Sequence, residues 1–277
     1  MTTEERAIAA LERHAASLRA RLPSEVTALL RASLGWAGTD PARNSLTPGF
    51  PPLEYSFSTW HPDELRVTAQ LFLNRPAPDR RRRTAELMHR LTGRQVIAKD
   101  GRARRFGAFF GITAGPAGLT GVEAYVEDVA LAGHGLRPVF TGIGVRDGVP
   151  TRRSYLAVTE DVRPGDLPGV PGMRKALHSV AGGRTVLPAG SVMVTTGGTM
   201  RSVELLAAAT GLTPTALPAR LPRLRTAEYA RWAAAIGADA AHLTVVSVRF
   251  DAHRGPGVAI YAVPRWASQA GPTSCFI

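Results

Sequence analysis

The chain has 277 residues, of which 44% are hydrophobic and 20% charged, and its 34 basic side chains exceed its 22 acidic ones by 12. This composition excludes a disordered or acidic tail-like protein, and the length suffices for one large domain or two ordinary ones. Lysine occurs only at Lys99 and Lys175, so arginine carries nearly all of the positive charge. That excess either reflects genomic base composition alone or predicts an anionic partner: a polyphosphate, a nucleic acid or a membrane surface.

Cys275 is the only cysteine, which excludes an internal disulfide and disfavours a cysteine-based metal site. The first residues have neither the basic start nor the apolar core of a signal peptide, and no run approaches 18 consecutive apolar residues. Cys275 also stands one place short of the position that a prenyl acceptor would need. We therefore expect a soluble, cytoplasmic protein without a lipid anchor.

Two helices are predicted at the start of the chain. In residues 3–22, apolar side chains recur at steps of three and four, and Pro23 ends this helix. Ser24 provides an N-cap for the second helix, and Gly35 is expected as its C-terminal cap.

A first hairpin is predicted over Leu53–Ser58 and Leu65–Leu71, where apolar or aromatic residues alternate with polar ones. Asp79 is then expected to cap a helix that ends at Gly93. The first turn of this helix would carry Arg80–Arg83, and four arginines there oppose the helix dipole.

Four more hairpins follow the same alternation. The second spans residues 105–112 and 121–128, and the third spans 137–143 and 150–158 with a turn at Asp147-Gly148. A short helix is predicted over 173–180, followed by a strand over 192–196; residues 199–205 could form its return strand or begin a helix. The last helix runs from Thr226 to Gly237, and the last hairpin pairs 242–250 with 258–264.

The unit of helix and hairpin recurs about five times, which gives ten antiparallel strands. A sheet of that size tends to close, and a closed ten-stranded barrel has an interior too wide for its own side chains to fill. Three return strands carry a mid-strand tyrosine: Tyr125, Tyr155 and Tyr261. Each could pack in an ordinary core, or all three could point into the barrel together with Arg153. The predicted fold class is thus α+β: a closed barrel ringed by helices.

This repeat resembles the aromatic prenyltransferases of the ABBA, or PT-barrel, fold, and in particular the bacterial relatives of the indole dimethylallyltransferases. The resemblance covers residues 1–265 as a single domain and leaves 266–277 as a C-terminal tail. The best local match is Pro52-Leu53-Glu54-Tyr55-Ser56-Phe57-Ser58 followed by Leu65-Arg66-Val67-Thr68. It implies that Glu54 faces the aromatic acceptor as the catalytic acid or base and that Arg66 binds the diphosphate.

Other strands carry weaker matches. In Thr151-Arg152-Arg153-Ser154-Tyr155, Arg153 keeps the second basic position of the family's third hairpin, while Thr151 replaces the first. In the second hairpin, Glu123 stands where the family has a diphosphate-binding lysine. The resemblance implies that Arg249 binds phosphate and that Tyr125, Tyr155 and Tyr261 shield the prenyl cation. The remaining candidates for the diphosphate are Arg137, Arg201 and Arg105.

The function implied is transfer of a prenyl group from an allylic diphosphate, such as dimethylallyl diphosphate, to an aromatic or peptide acceptor in natural-product biosynthesis. Arginines would hold the diphosphate, tyrosine faces would stabilise the carbocation, and Glu54 would accept the proton. The chain has no D-D-x-x-D motif, so magnesium is not expected, and the prenyl diphosphate is a co-substrate rather than a cofactor.

Two other classes remain open. Arg80–Arg83 with Arg102, Arg104 and Arg105 could contact the phosphates of a nucleic acid. A barrel that has lost its chemistry could bind a hydrophobic ligand or a peptide, and Glu123 is the best support for that interpretation. Nucleophile-elbow, P-loop and dinucleotide motifs are missing, and the seven histidines do not cluster, which argues against a metal site.

Overall fold

The structure is a computed structural model. It describes residues 3–37, 44–47, 52–97, 105–127, 135–167, 171–221, 224, 226–237 and 241–264. Several residues singled out in the sequence lie outside these ranges: Lys99, Arg102, Arg104, Cys275 and the tail 266–277.

Ten antiparallel strands form one closed barrel, as predicted. Each strand pairs with its neighbours in the chain, and β1 pairs with β10 to close the ring. The strands are β1 (Leu53–Ser58), β2 (Leu65–Ala69), β3 (Ala108–Gly115), β4 (Gly118–Glu127), β5 (Leu136–Arg146), β6 (Val149–Val158), β7 (Val192–Gly197), β8 (Met200–Leu206), β9 (Ala241–Asp251) and β10 (Gly255–Pro264). The hairpin turns β1–β2, β3–β4, β5–β6, β7–β8 and β9–β10 lie at one end of the barrel, which we call the hairpin end.

Helices pack on the outside of the barrel. They are α1 (Thr3–Ser17), α2 (Ser24–Ala37), α3 (Ala77–Thr92), α4 (Pro171–Ala181), α5 (Ala207–Thr210), α6 (Leu217–Arg220) and α7 (Thr226–Ile236). The outward side chains of β1 show the packing: the Tyr55 hydroxyl donates to the Ala7 carbonyl in α1 at 3.0 Å, and the Phe57 ring lies 6.0 Å from that of Trp232 in α7. Within the described ranges, no helix is both long and apolar enough to cross a membrane.

Both faces of β1 are therefore buried. Leu53, Tyr55 and Phe57 face the helices, while Glu54 and Ser56 alternate with them and face the barrel interior. The same alternation on every strand decides which side chains line the interior.

Local backbone geometry closes the hairpins. Asp147 and Gly148 both have positive φ, 48° and 78°, which is the conformation of a type I′ turn and confirms the turn predicted there. Gly144 lies so close to β4 that a Cβ there would be 2.4 Å from the Val122 carbonyl oxygen. The absence of a side chain at Gly144 lets β4 and β5 lie this close together.

Several predicted boundaries were wrong. Gly35 lies inside α2 rather than after it, and α3 begins two residues before Asp79, with Pro76 as its N-cap. Asp79 instead pairs with Arg82 and Arg83, so its carboxylate offsets part of the charge that opposes the helix dipole. The segment over 199–205, left open between strand and helix, is a strand.

Candidate active site in the barrel lumen

The barrel interior, or lumen, is lined by polar and aromatic side chains rather than by aliphatic ones. A cavity of about 30 Å³ lies in it towards the hairpin end. Its walls include Arg66, Glu123, Tyr125, Arg153 and Tyr261, all singled out in the sequence, and also Arg146, which was not. Long side chains occupy much of the space around this cavity.

Arg66 and Arg249 form the centre of a positive cluster. Arg249 is buried, donates from Nε to the Ser247 hydroxyl at 3.0 Å and also donates to the Tyr261 hydroxyl. Burial and then the positive charge of Arg249 lower the pKa of Arg66, and the charge of Arg146 acts in the same direction. Like charges held this close together create a strong potential for an anion.

An aromatic wall stands beside these cations. The rings of Tyr125 and Tyr155 meet edge to face at 5.7 Å, and Phe140 lies 4.4 Å from Tyr155 and 5.6 Å from Tyr125. Phe109 pairs in register with Tyr125 and extends the wall. Burial raises the pKa of Tyr125 and Tyr155 well above the usual value for a phenol, so both rings are neutral.

The mid-strand positions of the tyrosines left two alternatives open, an ordinary core or the barrel interior, and in the structure Tyr125, Tyr155 and Tyr261 lie on the inner face. Phe109 and Phe140 were missed, although each is the cross-strand partner of one of them. Knowledge of the hairpin registers would have identified both.

Glu123 and Arg153 form an ion pair across the lumen wall. An Nη1 of Arg153 lies 3.6 Å from Glu123 Oε2, and the Tyr125 hydroxyl donates to the same oxygen at 3.2 Å. The negative charge of Glu123 is the largest influence on Arg153 and raises the pKa of this guanidinium above its usual range. Gly142 makes room for the carboxylate, because a Cβ there would lie 2.5 Å from Glu123 Oε1. The positive charge of Arg153 is thus largely balanced within the protein.

Glu54 lies buried on the opposite side of the lumen. The Thr244 hydroxyl donates to Glu54 Oε1. Burial raises the pKa of this carboxyl to about 7; the Thr244 hydrogen bond opposes that rise, and the charge of Glu204 adds to it. A carboxyl with a pKa near neutrality can both accept and return a proton.

Glu204 is a second buried carboxyl that the sequence did not single out. The hydroxyls of Thr195 and Ser202 donate to its Oε1 at 3.3 and 3.4 Å, and burial raises its pKa. It follows the same alternation as Ser202, but its nearness to Glu54 depends on closure of the ring, which no local pattern reveals.

Two candidate arginines do not reach this cluster. Arg201 precedes the inward-facing Ser202 and is exposed, so strand alternation puts it on the outer face, and the expectation that it lines the site is corrected. Arg137 lies near the far end of β5, paired with Ala157 and about 16 Å along the strand from Gly142. It is not among the residues that line the cavity.

The arginine run at the start of α3 is engaged in packing. Arg80 is buried and donates to the Arg105 carbonyl at 2.9 Å. Arg82 and Arg83 bind Asp79. The backbone N–H of Arg105 donates to the Glu127 carboxylate at 2.9 Å. These contacts tie the loop before β3 to the helix, so the described part of this run does not form a free basic face.

A metal centre would need several ligands in one place. Among the side chains that the structure describes, no group of three or more His, Cys, Asp or Glu residues is arranged to hold a metal ion.

Comparison with known proteins identifies the architecture. No family model and no curated protein sequence matches the chain significantly. Among solved structures, 5-dimethylallyl tryptophan synthase from Streptomyces coelicolor, in complex with DMASPP and Trp, has a TM-score of 0.70 at 15% identity and covers 99% of this chain and 98% of its own.

Two further structures are similar. The prenyltransferase PriB, in a ternary complex with L-tryptophan and dimethylallyl thiolodiphosphate, has a TM-score of 0.68 at 13% identity, with 99% of each chain covered. AnaPT from Neosartorya fischeri has a TM-score of 0.53 at 11% identity over 90% of this chain and 89% of its own. The resemblance predicted from the repeat is confirmed in three dimensions: this chain has the ABBA, or PT-barrel, fold of the aromatic prenyltransferases.

Proposed function

We propose that the protein is an aromatic prenyltransferase that moves a prenyl group from an allylic diphosphate to an aromatic or peptide side-chain acceptor in natural-product biosynthesis. One observation carries this proposal: the lumen brings Arg66 and Arg249, a wall of neutral aromatic rings and the Glu54 carboxyl together. The structural neighbours crystallised with a thiolodiphosphate and tryptophan support it. Residues 1–265 would form the catalytic domain and 266–277 its tail.

Arg66 and Arg249 would hold the diphosphate. Guanidinium groups keep their charge and bind phosphate oxygens in pairs. Arg66 on β2 and Arg249 on β9 are near enough for the charge of Arg249 to lower the pKa of Arg66. Arg153 would contribute less than the sequence suggested, because Glu123 balances its charge. Arg137 and Arg201 are left out of the proposed set, because Arg201 lies on the outer face of β8 and Arg137 lies about 16 Å along β5 from Gly142.

Ionisation breaks the allylic C–O bond, and diphosphate leaves with the bonding electron pair. The allylic cation then needs neutral, electron-rich surfaces and protection from water. Tyr125, Tyr155 and Tyr261 would provide both, each ring contributing about 0.5–2 kcal/mol where water is excluded. The acceptor ring forms the new carbon–carbon bond, and Glu54 would take the proton that this carbon, or the ring N–H, releases.

The substrates need more room than the free lumen offers. The cavity of about 30 Å³ is narrow because long side chains, three of them arginines, extend into it. Movement of those guanidinium groups onto the phosphate oxygens would open space for the prenyl chain.

In the proposed chemistry, arginine side chains balance the charge of the diphosphate, so the protein would work without magnesium. The prenyl diphosphate would be the co-substrate of the acceptor, and no cofactor would be needed. Its partners would be that diphosphate and an aromatic small molecule or peptide, with no membrane partner. A cytoplasmic location belongs to the same proposal, because the single cysteine leaves no internal disulfide to maintain.

A turnover assay tests this function. The protein is incubated with dimethylallyl diphosphate and a panel of indoles, phenols, tryptophan and tryptophan-containing peptides, and products are followed by mass spectrometry and by release of inorganic diphosphate. We expect one acceptor class to gain a dimethylallyl group with wild type and to react far more slowly with Glu54→Gln. Tight binding of a prenyl diphosphate without any product across the panel would favour a non-catalytic ligand-binding barrel.

A further inference from the structure

Glu64, in the loop between β1 and β2, is held by an arginine from the other side of the hairpin end. An Nη2 of Arg146 lies 2.6 Å from Glu64 Oε1 and 2.8 Å from Oε2. Arg66 also faces this carboxylate, with Nη1 3.7 Å from Oε2. One carboxylate thus lies between two of the arginines that line the cavity.

This contact crosses a substantial part of the barrel. Arg146 is the last residue of β5 and Arg66 is the second residue of β2, so two strands separate them around the wall, or about 14 Å along the sheet. The three side chains are 15–19% exposed, so the bridge is neither deeply buried nor freely solvated. It lies at the hairpin end of the cavity, and both of its arginines line that cavity.

The neighbouring groups do not compete strongly for Glu64. The Thr120 hydroxyl lies 3.4 Å from Oε1, and Nδ1 of His61 lies 3.6 Å away. Burial and the charge of Arg146 lower the pKa of His61 to about 4, so this ring is neutral near pH 7. Asp147 Oδ2 lies 3.5 Å from Nε of Arg146 but is mostly exposed. Arg146 therefore makes the shortest contacts with the Glu64 carboxylate.

A carboxylate and a phosphate present similar oxygen pairs to a guanidinium fork. We propose that Arg146 is a further diphosphate-binding residue and that Glu64 occupies its guanidinium in the free protein, to be replaced there by phosphate oxygens when the substrate binds. This inference rests on the proposed function for the identity of the anion. Glu64 is then a positioning residue: it holds Arg146 over the cavity and lowers the affinity for the diphosphate by competing with it.

Titration calorimetry with dimethylallyl thiolodiphosphate tests the exchange through a double-mutant cycle. Glu64→Gln should tighten binding about threefold to fivefold, the range for losing a competing, partly exposed ion pair. Arg146→Gln should weaken binding about 10- to 100-fold, as expected for loss of hydrogen bonds to a charged group. In the Arg146→Gln background, Glu64→Gln should tighten binding clearly less than in wild type, because the short ion pair is already gone and only the 3.7 Å contact with Arg66 is left to release.

Two controls separate exchange from a general change of charge or a folding defect. Asp147→Asn removes a neighbouring exposed charge and should leave the affinity within about twofold of wild type. Arg146→Lys keeps the charge without the fork and should bind with intermediate affinity, which a variant that merely fails to fold would not do. Unchanged or weaker binding by Glu64→Gln, or a gain of the same size in the Arg146→Gln background, overturns the inference.

Inorganic pyrophosphate, used as a second probe, distinguishes this inference from the function on which it rests. Pyrophosphate binding that depends on Arg146 and Glu64 in the expected way, with no gain from a prenyl chain, supports the exchange and contradicts the prenyltransferase. Binding that requires the prenyl chain and is unchanged by Arg146→Gln and by Glu64→Gln supports the prenyltransferase and contradicts the exchange. Failure of wild type to bind either probe overturns both.

Discussion

Glu54 links the stability of the barrel to its proposed chemistry, and the link can be measured without a substrate. Burial raises the pKa of this carboxyl from 4.5 to about 7 in the folded protein. Since one pKa unit corresponds to about 1.4 kcal/mol, ionising Glu54 in the folded protein costs about 3 kcal/mol more than in the unfolded chain.

The direction of the pH effect follows from the sign of this difference. The folded protein binds the proton more tightly than the unfolded chain, so the stabilisation is fully present below pH 4.5. It is lost as the pH rises towards 7, and none of it remains well above that pH. Glu54→Gln keeps the size of the side chain and an oxygen that accepts from Thr244, but it cannot ionise.

We therefore expect the free energies of unfolding of wild type and Glu54→Gln to differ by less than about 1 kcal/mol near pH 5. At pH 8 the variant should be more stable by up to about 3 kcal/mol. Urea denaturation at pH 5, 6, 7 and 8 gives this difference directly. Glu160→Gln, which changes an exposed glutamate, should show no such trend.

A difference between wild type and Glu54→Gln that does not vary with pH would refute the reasoning, because it would mean that Glu54 ionises normally in the folded state. Glu204→Gln separates the second buried carboxyl from the first, since Glu204 also has a raised pKa and interacts with Glu54. In the turnover assay, the rate should rise as the pH passes through about 7, because only ionised Glu54 can accept a proton.

Three further predictions concern the lumen wall and its charges. Gly144→Ala should lower the free energy of unfolding by about 2 kcal/mol, because the added Cβ would lie 2.4 Å from a backbone oxygen. Gly165→Ala is the control and should change the free energy of unfolding little, because a Cβ at Gly165 would have nothing within 4 Å. Equal stability of the two variants in urea would contradict the close approach of β4 and β5. Glu123→Gln should tighten thiolodiphosphate binding about fivefold, because it releases Arg153 from its ion pair. Calorimetry should find no such gain in an Arg153→Ala background. A gain that persists in that background would show that Arg153 is not the group released. Chelation by EDTA should leave the rate of prenyl transfer unchanged, and a loss of rate that added magnesium restores would show that a metal ion carries part of the diphosphate charge.

Much of the fold could be predicted from the sequence because hairpins are local. Alternating residues and the Asp147-Gly148 turn identified strands that are neighbours in the chain, and the five repeats implied that the ring closes. The same alternation put Tyr125 and Tyr155 at equivalent positions of their strands, but it left open whether they face the lumen, which the structure shows they do. Helix ends were less certain, since Gly35 and Asp79 suit a cap as well as a helix interior, and packing decides between the two.

The contacts that define the site could not be predicted in the same way. Glu64 meets Arg146 across several strands, and Glu54 interacts with Glu204 only because β1 and β8 line the same lumen. Arg201 illustrates a different limit: Ser202 and Glu204 alternate with the apolar Val203 and Leu205, but this alternation does not say which face of β8 lines the lumen. Its neighbours Ser202 and Glu204 settle the face only once the barrel is known.

The central claim is that Arg66 holds the diphosphate of a prenyl donor inside the barrel. Calorimetry with dimethylallyl thiolodiphosphate on wild type, Arg66→Ala and Arg201→Ala tests it most directly, because the two variants remove the same charge from the inner and the outer face. We predict that wild type and Arg201→Ala bind with similar affinity and that Arg66→Ala binds at least about tenfold more weakly. Absence of binding by wild type, or equal weakening in both arginine variants, would contradict a diphosphate site in the lumen.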